Sequence, residues 1–395
     1  MFGLTVAMRP EYVILGGPPY ETGANQTSLQ TFAELSKTST TLYVCRQHQS
    51  SGLTALLGLR KGGRKATTLR PGLFALSSTS HVLVTPRITS MIPTVRPEAS
   101  RRLALRLVGS TLRRAISEIG LTQPNLIAYW WMFPEICRWP IWSRSHFDVV
   151  DRHWGYEYIT SPRQALRNLE LSVATRESCL TTTSVSESIA ADLDSAARGH
   201  LGVTPIGVVE NGVSLDRVDC YLAGQRTPRT SKTAIYVGGW NSRLDVDLFE
   251  RIVRMRPDWT FTLAGGEPTE ALRDAPNVRS LGPIAYSDAI RQMASHQVGV
   301  VPFVNSAYNR ASNFLKAYDY LAAGLTVLAT PLPSMAALEQ KFPQHVLLAD
   351  DATEWSSALD KFSPAAPLAL ADLHGISSEN RVERVLSEMR RYEVG

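Results

Sequence analysis

The stretch Asn309–Thr330, NRASNFLKAYDYLAAGLTVLAT, reads as a polar loop, a helix over 313–323, a glycine stop and a buried strand. A helix handed through one glycine to an apolar strand is a unit of an α/β sheet, so this segment narrows the choice of fold more than any other. Ser312 or Asn313 is the expected N-cap, and Gly324 stands where a left-handed residue ends a helix. Leu325, Val327 and Leu328 begin the strand. Lys316 and Asp319 are one helical turn apart and share a face. A lysine beside the unpaired N–H groups of a helix N-terminus suits a diphosphate, and a carboxylate one turn later can accept hydrogen bonds from ribose hydroxyls. An ordinary surface Lys–Asp pair has the same spacing.

At 395 residues the chain is long enough for two domains, each with its own core. Cys45, Cys137, Cys179 and Cys220 are far apart and form no Cys-x-x-Cys pair, which argues against a metal site or disulfide framework and suits a reducing cytoplasm. No apolar run approaches the ~18 residues of a membrane span, and the first ten residues lack the layout of a secretory signal. The expectation is a cytoplasmic protein, touching membrane at most from the side. A net charge of +5 suits an anionic partner. Zinc-finger spacing, an RNA-recognition signature and a long basic arm are all absent from the sequence, so nucleic acid is not expected.

Along the chain, the apolar run Tyr12–Leu15 leads into Gly16 and Gly17, a helix follows from about Thr27 to Lys37, and Thr41–Cys45 makes the next strand. Gly16 and Gly17 either serve a ligand at the strand's carboxyl end or simply turn the chain. Residues 60–70 read as a basic loop. Over Arg101–Ile119, Leu105, Val108, Leu112 and Ile116 make a helical stripe flanked by Arg102, Arg106 and Arg113, with Leu103 and Leu107 opposite. That helix either faces a core or, with the basic loop, meets an anionic membrane. The aromatic run Tyr129–Phe133 is read as interdomain packing. A strand carrying Val149 and Val150 delivers Asp151 to its carboxyl end, with His153 and Trp154 in reach and Asp148 at the opposite edge. Held against an aromatic pocket, Asp151 is a candidate general base; capping a following turn is its plain alternative. Residues 162–176 are read as helical, and Ser184 and Glu187 have the spacing of a capping box. In the second half, Thr233–Val237 feeds Gly238 and Gly239, and Thr260–Ala264 feeds Gly265 and Gly266, so backbone N–H groups can approach an anion.

The motif Lys316-x-x-Asp319-Tyr-Leu-Ala-Ala-Gly-x-x-Val-x-Ala-Thr resembles the nucleotide-sugar signature of bacterial GT-B glycosyltransferases, in the branch of the xanthan-pathway and teichuronic-acid glucuronosyltransferases. The segments Val208–Val213, Gly238–Gly239, Arg256–Trp259 and Asn277–Pro283 are similar to that family in the same order. The resemblance implies an α/β GT-B architecture: two Rossmann-like domains facing each other across a cleft, with the C-terminal helix crossing back to the first. The corresponding bounds are 1–213, a linker at 214–232, 233–375, and the crossing helix at 376–395. It implies a UDP-sugar donor held by Gly238, Gly239, Leu281, Gly282, Ser312, Asn313, Leu315, Lys316 and Asp319, with Lys316 on the diphosphate and Asp319 on the ribose. Asp-x-x-Asp at 148–151 is similar to the branch's motif, whose second acid is the proposed base, which favours Asp151 over Asp148.

Many members place a Glu eight residues before the ribose acid; here Ala311 stands there, which points away from the common retaining mechanism. Gly16, Gly17, His153, Trp154 and Arg310 are candidates for sugar or acceptor contacts, and Arg310 or Arg243 could meet a glucuronate carboxylate. The expected function is an inverting, metal-independent transfer needing no cofactor beyond the UDP-sugar, to a lipid-linked saccharide or other glycan, with peripheral contact to an anionic membrane. A nucleotide-sugar 2-epimerase of the same fold and a non-catalytic GT-B-like binding protein are the alternatives.

Overall fold

Apolar strands alternating with amphipathic helices build two parallel sheets, each covered on both faces. The structure is a computed structural model that describes residues 9–17, 20, 26–46, 71–85, 98–129, 134–152, 180–197, 206–223 and 229–391. The first lobe runs β1 (Glu11–Gly17), α1 (Thr27–Ser36), β2 (Thr40–Arg46), β3 (Gly72–Ala75), β4 (Ser80–Thr85), α2 (Glu98–Ile119) and β5 (Asn125–Ala128). It continues through β6 (Ser145–Val149), β7 (Leu180–Ser184), α3 (Glu187–Ala197) and β8 (Gly207–Val208). Its strand order is β3-β4-β2-β1-β5-β6-β7-β8, parallel except for β3 against β4.

The second lobe opens with α4 (Leu215–Leu222), then β9 (Thr233–Val237), α5 (Val246–Met255), β10 (Thr260–Ala264), α6 (Glu270–Arg273), β11 (Val278–Gly282), α7 (Tyr286–Ala294) and β12 (Val298–Val301). After α8 (Ala307–Ala311) and α9 (Leu315–Ala322) come β13 (Thr326–Ala329), α10 (Pro333–Lys341), β14 (Val346–Leu348), α11 (Ala352–Asp360) and α12 (Leu370–Gly375). The order β11-β10-β9-β12-β13-β14 is a doubly wound sheet whose strand order reverses between β9 and β12. The first sheet reverses in the same way between β1 and β5.

The last helix, α13 (Ser378–Arg390), leaves the second lobe and buries Val382, Val385 and Met389 against Tyr12, Ile14, Leu29 and Phe32 of the first. This is the crossing helix that the resemblance implies. Where it crosses, the chain pairs with its own earlier passage: Val213 N–H donates to Ile376 O (3.0 Å) and Ser378 N–H to Val213 O (2.8 Å). Beneath it, Arg381 donates to Asp148, and Thr183 donates to the other carboxylate oxygen.

Several expectations change. Asp148 does not begin its strand: β6 starts at Ser145, and Asp148 lies one residue from its carboxyl end, fully buried as the partner of Arg381. Ser184 is not the cap of α3; Ser186 Oγ accepts from Ile189 N–H, while Ser184 Oγ donates to Ser186 O. The stretch 214–232 read as a linker contains α4, which buries Val218 in the second core. In α2, Val108, Leu112 and Ile116 face the first-lobe core with Ala104 and Ala115, so the core-facing reading of that stripe holds. The basic loop 60–70, the helix over 162–176, residues 130–133, His153 and Trp154 lie outside the described residues.

Candidate functional site

The carboxyl ends of β9, β10 and β11 each finish on glycine, and these ends are laced together. Gly238 N–H donates to Ala264 O and Gly265 N–H to Gly282 O, both at 2.8 Å. Gly265 has φ +117°, and a Cβ there would lie 2.6 Å from Gly238 O, so only glycine lets the two turns touch. A Cβ on Gly238 would in turn lie 2.7 Å from Lys316 Nζ. The lysine therefore sits directly against the glycine turn, at the point where the strand order reverses and an α/β sheet binds its ligand.

Lys316 enters this place from the first turn of α9. Its ammonium lies 4.3 Å from the ring centre of Tyr236 and 4.5 Å from that of Phe303. It forms no ion pair with any described residue. Burial, then repulsion from Arg243, lower its pKa from 10.5 to about 7, against a smaller opposing pull from Asp319. Arg243 stacks 4.7 Å from the ring of Tyr308 and 5.4 Å from Phe303 and Phe314. Its Nε donates to Asn309 Oδ1 at 3.0 Å, and the buried Asn309 amide returns bonds to Arg243 O and Val304 O. Two cations thus share one aromatic cage, and neither pairs with a carboxylate among the described residues. Two such cations side by side can pair with a polyanion.

Asp151 faces the same cage from the first lobe. It stands two residues beyond β6, and its Oδ1 accepts from Tyr308 Oη at 2.8 Å, so one phenol joins the aspartate to the ring on which Arg243 rests. Neighbouring contacts fix this approach. Arg152 pairs with Asp192 and donates to Ala307 O, and Ser186 Oγ donates to Ala311 O.

The remaining expected residues divide. Asp319 is buried and accepts from Tyr286 Oη at 2.7 Å; burial and the adjoining carboxylate push that phenol's pKa up. Arg217 of α4 lies 4.7 Å from the Tyr286 ring. Leu281 and Gly282 end β11, and space is open beside Gly282 where a side chain would stand. Leu315 opens α9, half-buried. Gly239 O accepts from Tyr236 Oη, which holds the glycine turn in place.

Ser312 and Asn313 do not cap α9. Ser312 Oγ donates to Tyr308 O at the end of α8, Asn313 Oδ1 accepts from Asn211 N–H across the lobe boundary, and Phe314 takes the cap position without a side-chain bond. Each polar side chain found a partner elsewhere, which shortens the helix at its start. Gly16 has no room for a ligand at its α-carbon, because a Cβ there would lie 2.2 Å from the Tyr43 ring. Gly17 turns the chain at φ +82°. Arg310 is exposed at the end of α8. Among the described residues no group of three or more His, Cys, Asp or Glu side chains is placed to hold a metal ion. A cavity of about 340 Å³ lies at the lobe crossing, between Glu210, Lys341, Asp372 and Arg384, and none of the caged residues lines it.

Sequence reasoning passed over Tyr236, Phe303, Tyr308, Asn309 and Tyr286. The usable signal was an aromatic residue near the carboxyl end of β9 and another just after β12, facing each other across the reversal point.

No protein-family model matches the chain. In sequence it is similar to the teichuronic acid biosynthesis glycosyltransferase TuaH of Bacillus subtilis, 26% identical over 212 residues, which is 50% of this chain and 52% of that protein. The chain spans about half the length of the curated relative it matches. In structure it is similar to the sucrose-phosphate synthase of Thermosynechococcus elongatus, with TM-score 0.60 and 16% identity over 96% of this chain and 95% of that one. It is also similar to an E. coli trehalose-6-phosphate protein bound with UDP-2-fluoro glucose, with TM-score 0.63 and 10% identity over 96% and 99%. The likeness covers nearly the whole chain, and the fold is GT-B.

Proposed function

We propose that this GT-B chain is a glycosyltransferase that moves a sugar from a UDP-sugar held by the second lobe to an acceptor hydroxyl held by the first. One observation carries the reading: Asp151 of the first lobe is bonded through Tyr308 to a cage that holds two cations without a carboxylate partner among the described residues. Lys316 and Arg243 match the two negative charges of a diphosphate, and Gly238–Gly239 brings the backbone up beside them. Asp319 stands one turn from Lys316 for the ribose, and the open space at Gly282 suits the base.

The mechanism that fits is a direct displacement. Asp151 takes the proton of the acceptor hydroxyl as its oxygen attacks the anomeric carbon from the face opposite the leaving group, so configuration inverts. Negative charge grows on the departing diphosphate, where Lys316 and Arg243 already stand, so the fixed cations favour the transition state over the ground state. These two cations can take the role that a divalent ion plays elsewhere. Ala311, buried and without a carboxylate, occupies the position from which a Glu would touch the donor sugar in a retaining site. A glucuronate donor would need a further cation, and exposed Arg310 is the candidate. The similarity to a teichuronic acid biosynthesis protein supports a glycan acceptor, and we extend this to a lipid-linked saccharide.

The test is UDP release from a panel of UDP-sugars, set beside UDP binding by calorimetry. Asp151→Asn is expected to lower turnover by roughly 10²–10⁴-fold with UDP affinity kept, and Lys316→Ala to lose both. A folded Asp151→Asn protein with full turnover would remove the aspartate from the mechanism.

A further inference from the structure

The cavity at the lobe crossing, about 340 Å³, lies near the lower end of the ~300–1,000 Å³ that small-molecule pockets span. Buried Asn211, Tyr318 and Arg381 line it together with exposed Lys341, Asp372 and Arg384. Two of its three cations already have carboxylates. Lys341 pairs with Glu210, which also lines the cavity, and Arg381 pairs with Asp148. Arg384 is the third: its guanidinium donates to Val208 O at 2.8 Å and forms no ion pair with any described residue. The buried Nε of Arg381 also lacks an acceptor among the described residues. Phe342 and Ile376 supply an apolar part of the wall. One guanidinium without a carboxylate suits a ligand with one carboxylate, which it can hold through two N–H groups. Asp372 and Glu210 oppose a second negative charge, so a doubly charged phosphate monoester fits less well. Polar groups beside an apolar wall suit a sugar ring, with hydroxyls on its edge and C–H groups on its faces.

We propose that this cavity is a second ligand site, for a polyhydroxy carboxylate of monosaccharide size, and that its occupancy is coupled to the nucleotide site. Its walls lead to both halves of the candidate functional site. Arg381 holds Asp148, three residues before Asp151. Asn211 donates from its backbone N–H to Asn313 Oδ1 (3.0 Å) and from its amide to Asn313 O (2.8 Å), and Asn313 donates to Tyr318 Oη (3.1 Å). Lys316 lies between Asn313 and Tyr318 in the chain, so the same wall fixes the start of α9. The Lys341–Glu210 pair joins the end of α10 in the second lobe to the segment that leaves β8 in the first. A ligand seated here touches the crossing and α9 together, and it shifts the lobes toward whichever angle it fits better. The cavity's own ligand stands independently of the sugar-transfer reading; the coupling rests on the nucleotide site of that reading.

The experiment titrates the full chain with glucuronate, and with glucose and inorganic phosphate as controls, by calorimetry and by melting temperature. Glucuronate is expected to saturate with a Kd of about 1 mM or below, at least about tenfold tighter than either control. Arg384→Ala should weaken it about tenfold or more, and Asp372→Asn should tighten it about threefold, while Lys316→Met leaves it unchanged. Saturating UDP should change glucuronate affinity about fivefold, and glucuronate should change UDP affinity by the same factor. If Arg384→Ala does not fold, Asp372→Asn and the Lys316→Met control decide the matter. Glucose or phosphate bound as tightly as glucuronate overturns the site, and so does glucuronate binding that Lys316→Met abolishes and the cavity variants leave alone. Equal glucuronate affinity with and without bound UDP overturns the coupling. Failure of UDP to bind at all overturns the nucleotide reading and the coupling with it, whereas the cavity's ligand is still judged by the Arg384 and Asp372 variants.

Discussion

Replacing Lys316 by Met should make the protein more stable and, on the proposed function, abolish UDP binding. The lysine's pKa is lowered from 10.5 to about 7 by burial and by the neighbouring Arg243. At about 1.4 kcal/mol per pKa unit, a fully protonated Lys316 costs the folded state at most ~5 kcal/mol. The side chain is only half-buried, and the rings of Tyr236 and Phe303 return part of the loss, so a gain of about 1–3 kcal/mol is expected for Lys316→Met at pH 6. The sign follows from proton counts. Between pH 7 and 10.5 the unfolded chain holds the extra proton, so wild-type stability rises with pH across that window and the full cost is present below it. The advantage of the Met variant should therefore shrink as pH approaches 10.5.

Binding has the complementary signature. A bound diphosphate restores the lysine's ordinary pKa, so UDP binding should take up about half a proton at pH 7 and nearly a whole one by about pH 8.5. Affinity should fall about tenfold per pH unit above 7, where the diphosphate itself is already ionised. Calorimetry in two buffers of different ionisation enthalpy reads the proton uptake, and urea unfolding at pH 6 and pH 9 reads the stability. A UDP affinity that is flat from pH 7 to 9, or a Met variant less stable than wild type, would refute the caged-cation argument.

Tyr308→Phe removes the phenol that holds Asp151 and leaves the ring under Arg243. Turnover should fall roughly 5–30-fold, with UDP affinity changed little, as steady-state kinetics beside calorimetry can show. Arg381→Met strands the buried Asp148 carboxylate and should cost about 3–5 kcal/mol in urea unfolding, with much of it recovered when Asp148→Asn is added. Gly265→Ala forces a Cβ against Gly238 O and should weaken UDP binding by separating the two glycine turns; a melting curve and calorimetry distinguish that from general unfolding.

Strand positions were legible because a parallel sheet buries both faces of its strands, and a short apolar run ending in glycine has few other uses. Thus β9 and β10 stand where the periodicity puts them, and Gly324 ends α9 at φ +81°. Lys316 and Asp319 could be paired from spacing, since their relation is local to one helix turn. The N-terminus of α9 could not, because Ser312 and Asn313 are polar side chains with a choice of partners. Tyr308 O and Asn211 N–H, the partners taken, lie within reach only through the fold. The role of Asp148 depended likewise on Arg381, a residue from the far end of the chain. Sequence alone determined the strand–helix alternation of both lobes and the glycines that end their strands, because apolar periodicity and glycine turns act over a few residues. Tertiary structure alone decided which carboxylate meets Tyr308, which side of α2 remains outside, and which rings surround the lysine. Those outcomes rest on contacts between residues distant along the chain, and no local pattern encodes them.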